Sequence, residues 1–135
     1  MLRVTKLTDY ASLVLTVLAS APERVHSAAE LAERAHLEVP TVSKLLKSLA
    51  QAGLVEGFRG SNGGYRLARP ATAISLGEVL SAIDGPDAPP RDESRPASRA
   101  LTKVWEHVRA AEKAVLDRTS IAQLAELASP HDWVI

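Results

Sequence analysis

Thr41, Ser43, Lys44, Lys47, Ser48 and Gln51 share one face of the stretch PTVSKLLKSLAQ, and that face carries no acid. Hydroxyls, an amide and two ammonium groups at helical spacing are what reading base edges between phosphates requires. A short way on, Arg59-Gly60-Ser61-Asn62-Gly63-Gly64 forms a basic, glycine-rich tip between two short runs that read as strands. Over residues 41–69 the charged side chains are Lys44, Lys47, Arg59, Arg66 and Arg69 against Glu56 alone, in a chain of net charge +0. Positive charge concentrated on a neutral chain makes a directed phosphate-binding patch rather than general stickiness. A Lys/Ser/Thr/Gln row alone is usually a plain solvated helix surface. The basic tip beside it turns the reading to DNA.

Other chemistries have weaker support. The Gly60–Gly64 tip joins two strands and lacks the Lys-Ser/Thr and helix of a nucleotide loop. No nucleophile–base pairing stands out, so the expectation is that this is not an enzyme. His26, His36, His107 and His131 show no ligand spacing. No metal site is expected. Asp9 reads as a first-turn acid favoured by the helix dipole.

The elements that must position these residues follow from local rules. Ser27 caps a helix while Glu30 is placed to reach back to its amide, a capping box. Pro40 suits the first position of the next helix, whose Val42, Leu45, Leu46 and Leu49 form a buried face. Gly53 falls where a left-handed cap is expected. Leu54–Arg59 and Tyr65–Arg69 read as strands of a hairpin, whose glycines and Asn62 tolerate positive φ. Leu7, Tyr10, Ala11, Val14, Val17 and Leu18 make the stripe of a first helix.

In the second half, Ser75 and Glu78 make another capping box, with Ile74 and Val79 as a hydrophobic staple. Leu76, Val79, Leu80 and Ile83 give that helix its apolar face, and Gly85-Pro86 stops it. Residues 86–97, rich in Pro, Asp and Arg, read as a loop. From about Ser98, Leu101, Val104, Trp105, Val108, Ala111, Val115 and Leu116 trace a long helical stripe, best buried against its copy in a second subunit. An intramolecular core helix is the competing reading. Ser120 with Gln123 caps a last helix bearing Ile121, Leu124 and Leu127, and Trp133 in the tail suggests docking.

The fold class expected is mainly α with a small β-hairpin: a winged helix-turn-helix over residues 1–85, a loop at 86–97, and a dimerisation helix with a C-terminal helix over 98–135. At 135 residues without cysteine, the chain suits a modest core and has no disulfide framework. Leu13–Leu18 before Ala19-Ser20-Ala21 superficially matches a secretory h-region, but Asp9 and Tyr10 interrupt it and the helical stripe accounts for it. A cytoplasmic protein without membrane contact is expected.

MLRVTKLTDYA, PTVSKLLKSLAQAGLV, RGSNGGYRLAR and ISLGEVLSAIDGP together resemble the IscR/NsrR-type (Rrf-two superfamily) regulators, nearest to those of SUF-type iron–sulfur assembly. The likeness runs from Met1 to about Pro86, and more loosely beyond. It implies a homodimeric transcription regulator, in many members tuned by an iron–sulfur cluster held on three cysteines. It also implies that Thr41, Ser43 and Lys44 reach bases or nearby phosphates and that Arg59 with Gly60, Ser61, Asn62 and Gly63 follows the minor groove. Lys6 and Ser27 complete the expected DNA-contacting set, and Leu101, Val104, Trp105, Val108 and Val115 the dimer seam. Many cluster-binding relatives carry an acid at the position of Ser43, so no relative's operator transfers.

The departure from the family is the cysteines. The stretch Gly85–Arg99, where relatives place theirs, has none, and neither does the rest of the chain. Thiolates hold such clusters, so no cofactor is expected. Ser94 or Ser98 would fit a Cys→Ser replacement, but the surrounding Pro/Arg/Asp/Glu composition favours natural divergence. The expected function is a palindrome-binding dimeric regulator, acting as a repressor, with an unidentified protein or small-molecule effector. The alternative is a winged-helix protein-interaction subunit without DNA binding.

Overall fold

The computed structural model describes residues 5–85 and 94–127. In chain order these form α1 (Lys6–Ser20), α2 (Ala28–Ala35), α3 (Val39–Gln51), β1 (Val55–Phe58), β2 (Gly64–Leu67), a 3₁₀ turn (Ala71–Ala73), α4 (Leu76–Asp84), α5 (Ser98–Arg118) and α6 (Ile121–Leu127). This is the expected mainly helical winged architecture. Pro86, most of the 86–97 stretch, and Ser129–Ile135 with His131 and Trp133 lie outside the described residues.

Helix α1 is the centre of the molecule, packed by α2, α3, α4, α6 and β2. A one-sided stripe does not suffice there. Leu15 joins Ala11, Val14, Val17 and Leu18 in the core, while Leu7, expected inside, is exposed. Thr8 and Thr16 are also buried, and both hydroxyls are satisfied. Thr16 Oγ1 donates to the Leu13 carbonyl at 2.8 Å, and Thr8 Oγ1 to Asp84 Oδ2 at 2.6 Å. Thr5 adds a second hydroxyl to Asp84, at 2.9 Å, tying the start of α1 to the end of α4.

The two helix ends flanking the tight turn and the hairpin use one device. After α2, His36 takes φ 57°; its N–H donates to the Glu33 carbonyl at 3.2 Å and that of Leu37 to Ala32 at 2.8 Å. After α3, Gly53 takes φ 76°, with Gly53 bonded to Ala50 at 3.0 Å and Leu54 to Leu49 at 3.0 Å. Both are Schellman closures. Gly53 fills the expected position, whereas a histidine serves at the first. Helix α3 begins one residue before Pro40, which therefore stands second rather than first. That place too has no intrahelical acceptor for the missing N–H. Val42, Leu45, Leu46 and Leu49 are all buried.

The hairpin strands are shorter than expected. They pair antiparallel as Val55↔Leu67, Glu56↔Arg66, Gly57↔Tyr65 and Phe58↔Gly64. A further bridge joins Tyr65 to His26, so the link between α1 and α2 adds a third, one-residue rung to the wing.

Behind the wing, α4 carries the full capping box: the Glu78 N–H donates to Ser75 Oγ and the Ser75 N–H to Glu78 Oε1, both at 3.2 Å. Ile74 and Val79, the expected staple, are both fully buried. A short antiparallel clasp follows, in which the Leu76 N–H donates to the Thr119 carbonyl and the Ile121 N–H to that of Ile74, each at 2.9 Å. Through it α6 returns to α1, and Ile121 enters the core. Ser120 and Gln123 cap α6 reciprocally at 3.1 and 2.7 Å. Leu124 packs against the core, but Leu127 is exposed one turn beyond it. Helix α5 differs from all the others. It spans 21 residues and none of them is buried.

Candidate nucleic-acid interface

The outer face of α3 is held rigidly from beneath by its four buried residues. Ser43, Lys44 and Lys47 stand exposed on it, while Thr41 is half-buried. Ser43, Lys47 and Gln51 share an open groove with Gly57, Phe58, Arg59 and Tyr65 of the hairpin. The fold thus brings Ser43 and Lys47 together with Arg59, which the sequence separates. Thr41 and Lys44 lie on the same helix outside that groove. Lys6, in the first turn of α1, and Ser27, at the start of α2, are exposed on their own elements.

At the wing tip the Gly63 N–H donates to the Gly60 carbonyl at 3.0 Å, closing a tight turn with Ser61 and Asn62 at its centre. Of the residues there that tolerate positive φ, Gly60 adopts it, at 108°, and Asn62 does not. The other two glycines are fixed by space. A Cβ on Gly63 would overlap the Phe58 carbonyl, and one on Gly64, at φ 154°, would overlap the carbonyl of His26. Gly57 sits under the Tyr65 ring, whose Cε1 would lie 3.2 Å from a Cβ there. The Arg66 guanidinium lies 4.9 Å from the centroid of the exposed Phe58 ring.

Charge divides the five cations of residues 41–69 into two groups. Arg66 pairs with Glu56 at 3.3 Å, and Arg69 with Glu78 at 2.5 Å. Lys44, Lys47 and Arg59 make no ion pair among the described residues. Burial pushes the Glu78 carboxyl up, but the Arg69 hydrogen bond and the Ser75 amide outweigh it and hold it below the ordinary range. Arg66 and Arg69 are therefore bound into the scaffold. The cations left for a polyanion are on α3 and the wing.

Ser27 also departs from expectation. Its Oγ accepts the Glu30 N–H at 3.0 Å, but the Glu30 carboxylate does not return to the Ser27 amide. It is taken by Arg24 and His26 instead. His26 is fully buried, and sequence reasoning gave it no role. Its one signal was position, directly before the Ser27 cap.

No group of three or more metal-ligating side chains is assembled among the described residues, and the chain contains no thiolate. The donor set does not fit an iron–sulfur cluster.

An amphipathic three-helix head with a recognition helix beside a glycine-tipped hairpin is a winged helix-turn-helix. Residues 4–127 match the Rrf2 family, described as iron-dependent transcriptional regulators, and the chain belongs to that family. A Mycobacterium tuberculosis protein provisionally named an HTH-type transcriptional regulator is 36% identical over 138 residues, covering 96% of this chain and 85% of its own. The HTH-type transcriptional regulator CymR of Bacillus subtilis is 35% identical over 97 residues, 70% of this chain and 68% of its own. The solved structure of CymR, the global cysteine regulator of B. subtilis, superposes with a TM-score of 0.80 at 28% identity, covering 96% of this chain and 100% of that one. IscR of T. potens gives 0.74 at 29%, covering 96% and 95%. The chain is a DNA-binding transcription regulator. Among the described residues no helix is long and apolar enough to cross a membrane.

Proposed function

We propose that this chain binds a palindromic operator as a homodimer in the cytoplasm and represses transcription there. Each subunit places α3 in a major groove and the wing on the adjoining minor groove. Thr41, Ser43 and Lys44 reach bases or nearby phosphates; Lys47 holds phosphate; Arg59 with Gly60, Ser61, Asn62 and Gly63 follows the minor groove; Lys6 and Ser27 touch the flanking backbone. The observation that carries this reading is that, among the described residues, Lys44, Lys47 and Arg59 make no ion pair, whereas Arg66 and Arg69 are paired with Glu56 and Glu78.

The dimer is supported by α5. Leu101, Val104 and Val115 are 50%, 56% and 53% exposed along one helix, with Trp105 and Val108 only half-covered. Its copy in a second subunit would cover that stripe and set two α3 helices at half-sites one DNA turn, or a multiple, apart. Control comes from an effector other than a cluster, a protein or small molecule with different affinity for two spacings of the recognition helices. A mobility shift on the promoter of its own operon tests the reading. A retarded band competed by the same operator, and not by random duplex, is expected. No shift at low salt would replace it with a winged-helix subunit that binds protein.

A further inference from the structure

We propose that the Arg24–Glu30–His26 cluster is a positioning element for the wing, setting where Arg59 meets DNA without touching DNA itself; this rests on the DNA-binding reading above. His26 does two jobs at once. Its peptide is a rung of the wing: the His26 N–H donates to the Tyr65 carbonyl at 2.8 Å, and the Tyr65 N–H to the His26 carbonyl at 2.7 Å. Its ring, fully buried, is socketed between α1 and α2. Nδ1 meets Glu30 Oε2 in a short hydrogen bond, and Nε2 lies 3.3 Å from the Ala21 carbonyl. Holding the ring holds the Cα, and with it the peptide on which β2 hangs.

Glu30 is in turn clamped by both nitrogens of the Arg24 fork, at 3.0 and 2.8 Å, while a third contact places Arg24 Nη2 3.3 Å from His26 Nδ1. Burial pushes the Glu30 carboxyl up, and the Arg24 and His26 hydrogen bonds outweigh it, keeping it ionised. The helix cap does not need this carboxylate, because Ser27 is bonded by the Glu30 backbone N–H. The side chain is therefore free for another task. Gly64 closes the argument: side-chain-free backbone lets β2 approach the His26 peptide, and the next residues toward the chain start are the wing tip.

The test is a pair of double-mutant cycles on full-length protein and operator duplex. Glu30→Gln keeps the backbone cap and nearly the shape while weakening the hold on His26. It should weaken operator binding by roughly 5–10-fold, and Arg59→Ala should then cost at least about 3-fold less than in wild type, a coupling outside ordinary additivity. The same cycle with Lys47→Ala, on α3, should be additive within about 2-fold. In hydrogen exchange without DNA, Glu30→Gln should speed the Tyr65 amide and leave the α3 amides unchanged. Additive effects with Arg59→Ala, equal coupling to Lys47, or an unchanged Tyr65 amide would each overturn the positioning role. A wild-type chain that binds no duplex, with the Tyr65 amide still responding, would sink the DNA reading and leave the mechanical link standing.

Discussion

The outer face of α3 with its wing and the stripe along α5 are both open to solvent, but each leaves a different need unmet. On the first, the apolar residues of α3 are tucked beneath, and Lys44, Lys47 and Arg59 make no ion pair among the described residues. On the second, Leu101, Val104 and Val115 face water while the charges of the helix are partly matched, as by Lys113 and Asp117 at 2.5 Å. Unmatched cations gain from a polyanion through counterion release, a gain that salt removes. Exposed hydrocarbon gains from another apolar surface, and salt does not remove that. The two faces therefore call for different partners and should fail under different conditions.

The sharpest way to break this contrast is a charge in the apolar stripe. Trp105→Asp or Val108→Asp would bury an unpaired carboxylate in the proposed dimer seam at a cost of several kcal/mol. Light scattering should show monomer or unfolded chain, with operator binding lost. A monodisperse wild-type monomer at micromolar concentration would refute the account of α5. Next in size is Gly64→Ala, whose Cβ meets the His26 carbonyl at a φ of 154°. Strain of about 1–3 kcal/mol should lower the melting temperature and displace the wing, so operator affinity falls while the dimer persists.

Lys47→Ala should be milder and uniform, weakening all duplexes alike and flattening the salt dependence by about one unit of slope. A changed sequence preference would mean that Lys47 reads bases. Acid should have a smaller effect still. Glu30 and Glu78 are held below their ordinary 4.5, so the stability they contribute is present above that value and lost as pH falls below it. Denaturant titrations from pH 6 to 3 should show that loss shrinking in Glu78→Gln. The smallest expected effect is none: the chain should purify colourless, take up no iron–sulfur chromophore on anaerobic reconstitution, and bind operator equally under oxidising and reducing conditions. Stoichiometric iron and sulfide in anaerobically purified protein would contradict this.

Two identical sequence signals explain how much of this was legible. Ser27-x-x-Glu30 and Ser75-x-x-Glu78 read alike, yet only the second forms the reciprocal box. Glu78 can serve Ser75 and Arg69 at once, whereas Arg24 and His26 draw Glu30 away. Periodicity and caps report on neighbours three or four residues away, so helices, turn and hairpin were readable. The exposed face of α3 was readable too, because its buried side was. Contacts distant in sequence carry no such signal. The pairing that removes Arg69 from the basic patch, the His26–Tyr65 rung and the burial of α1 on several sides all belong to that class.

The clasp between Ile74–Leu76 and Thr119–Ile121 turns α5 into a lever arm with a fixed fulcrum. Two backbone bonds pin its end beside α4, while 21 residues, about 30 Å at the usual helical rise, extend from that point. On an arm of that length, about 5° of tilt moves the far end by roughly 3 Å, close to one base-pair step. In the proposed dimer, gearing of this kind would let small changes at the pivot alter the spacing of the two α3 helices, so that small substitutions there would have distant effects.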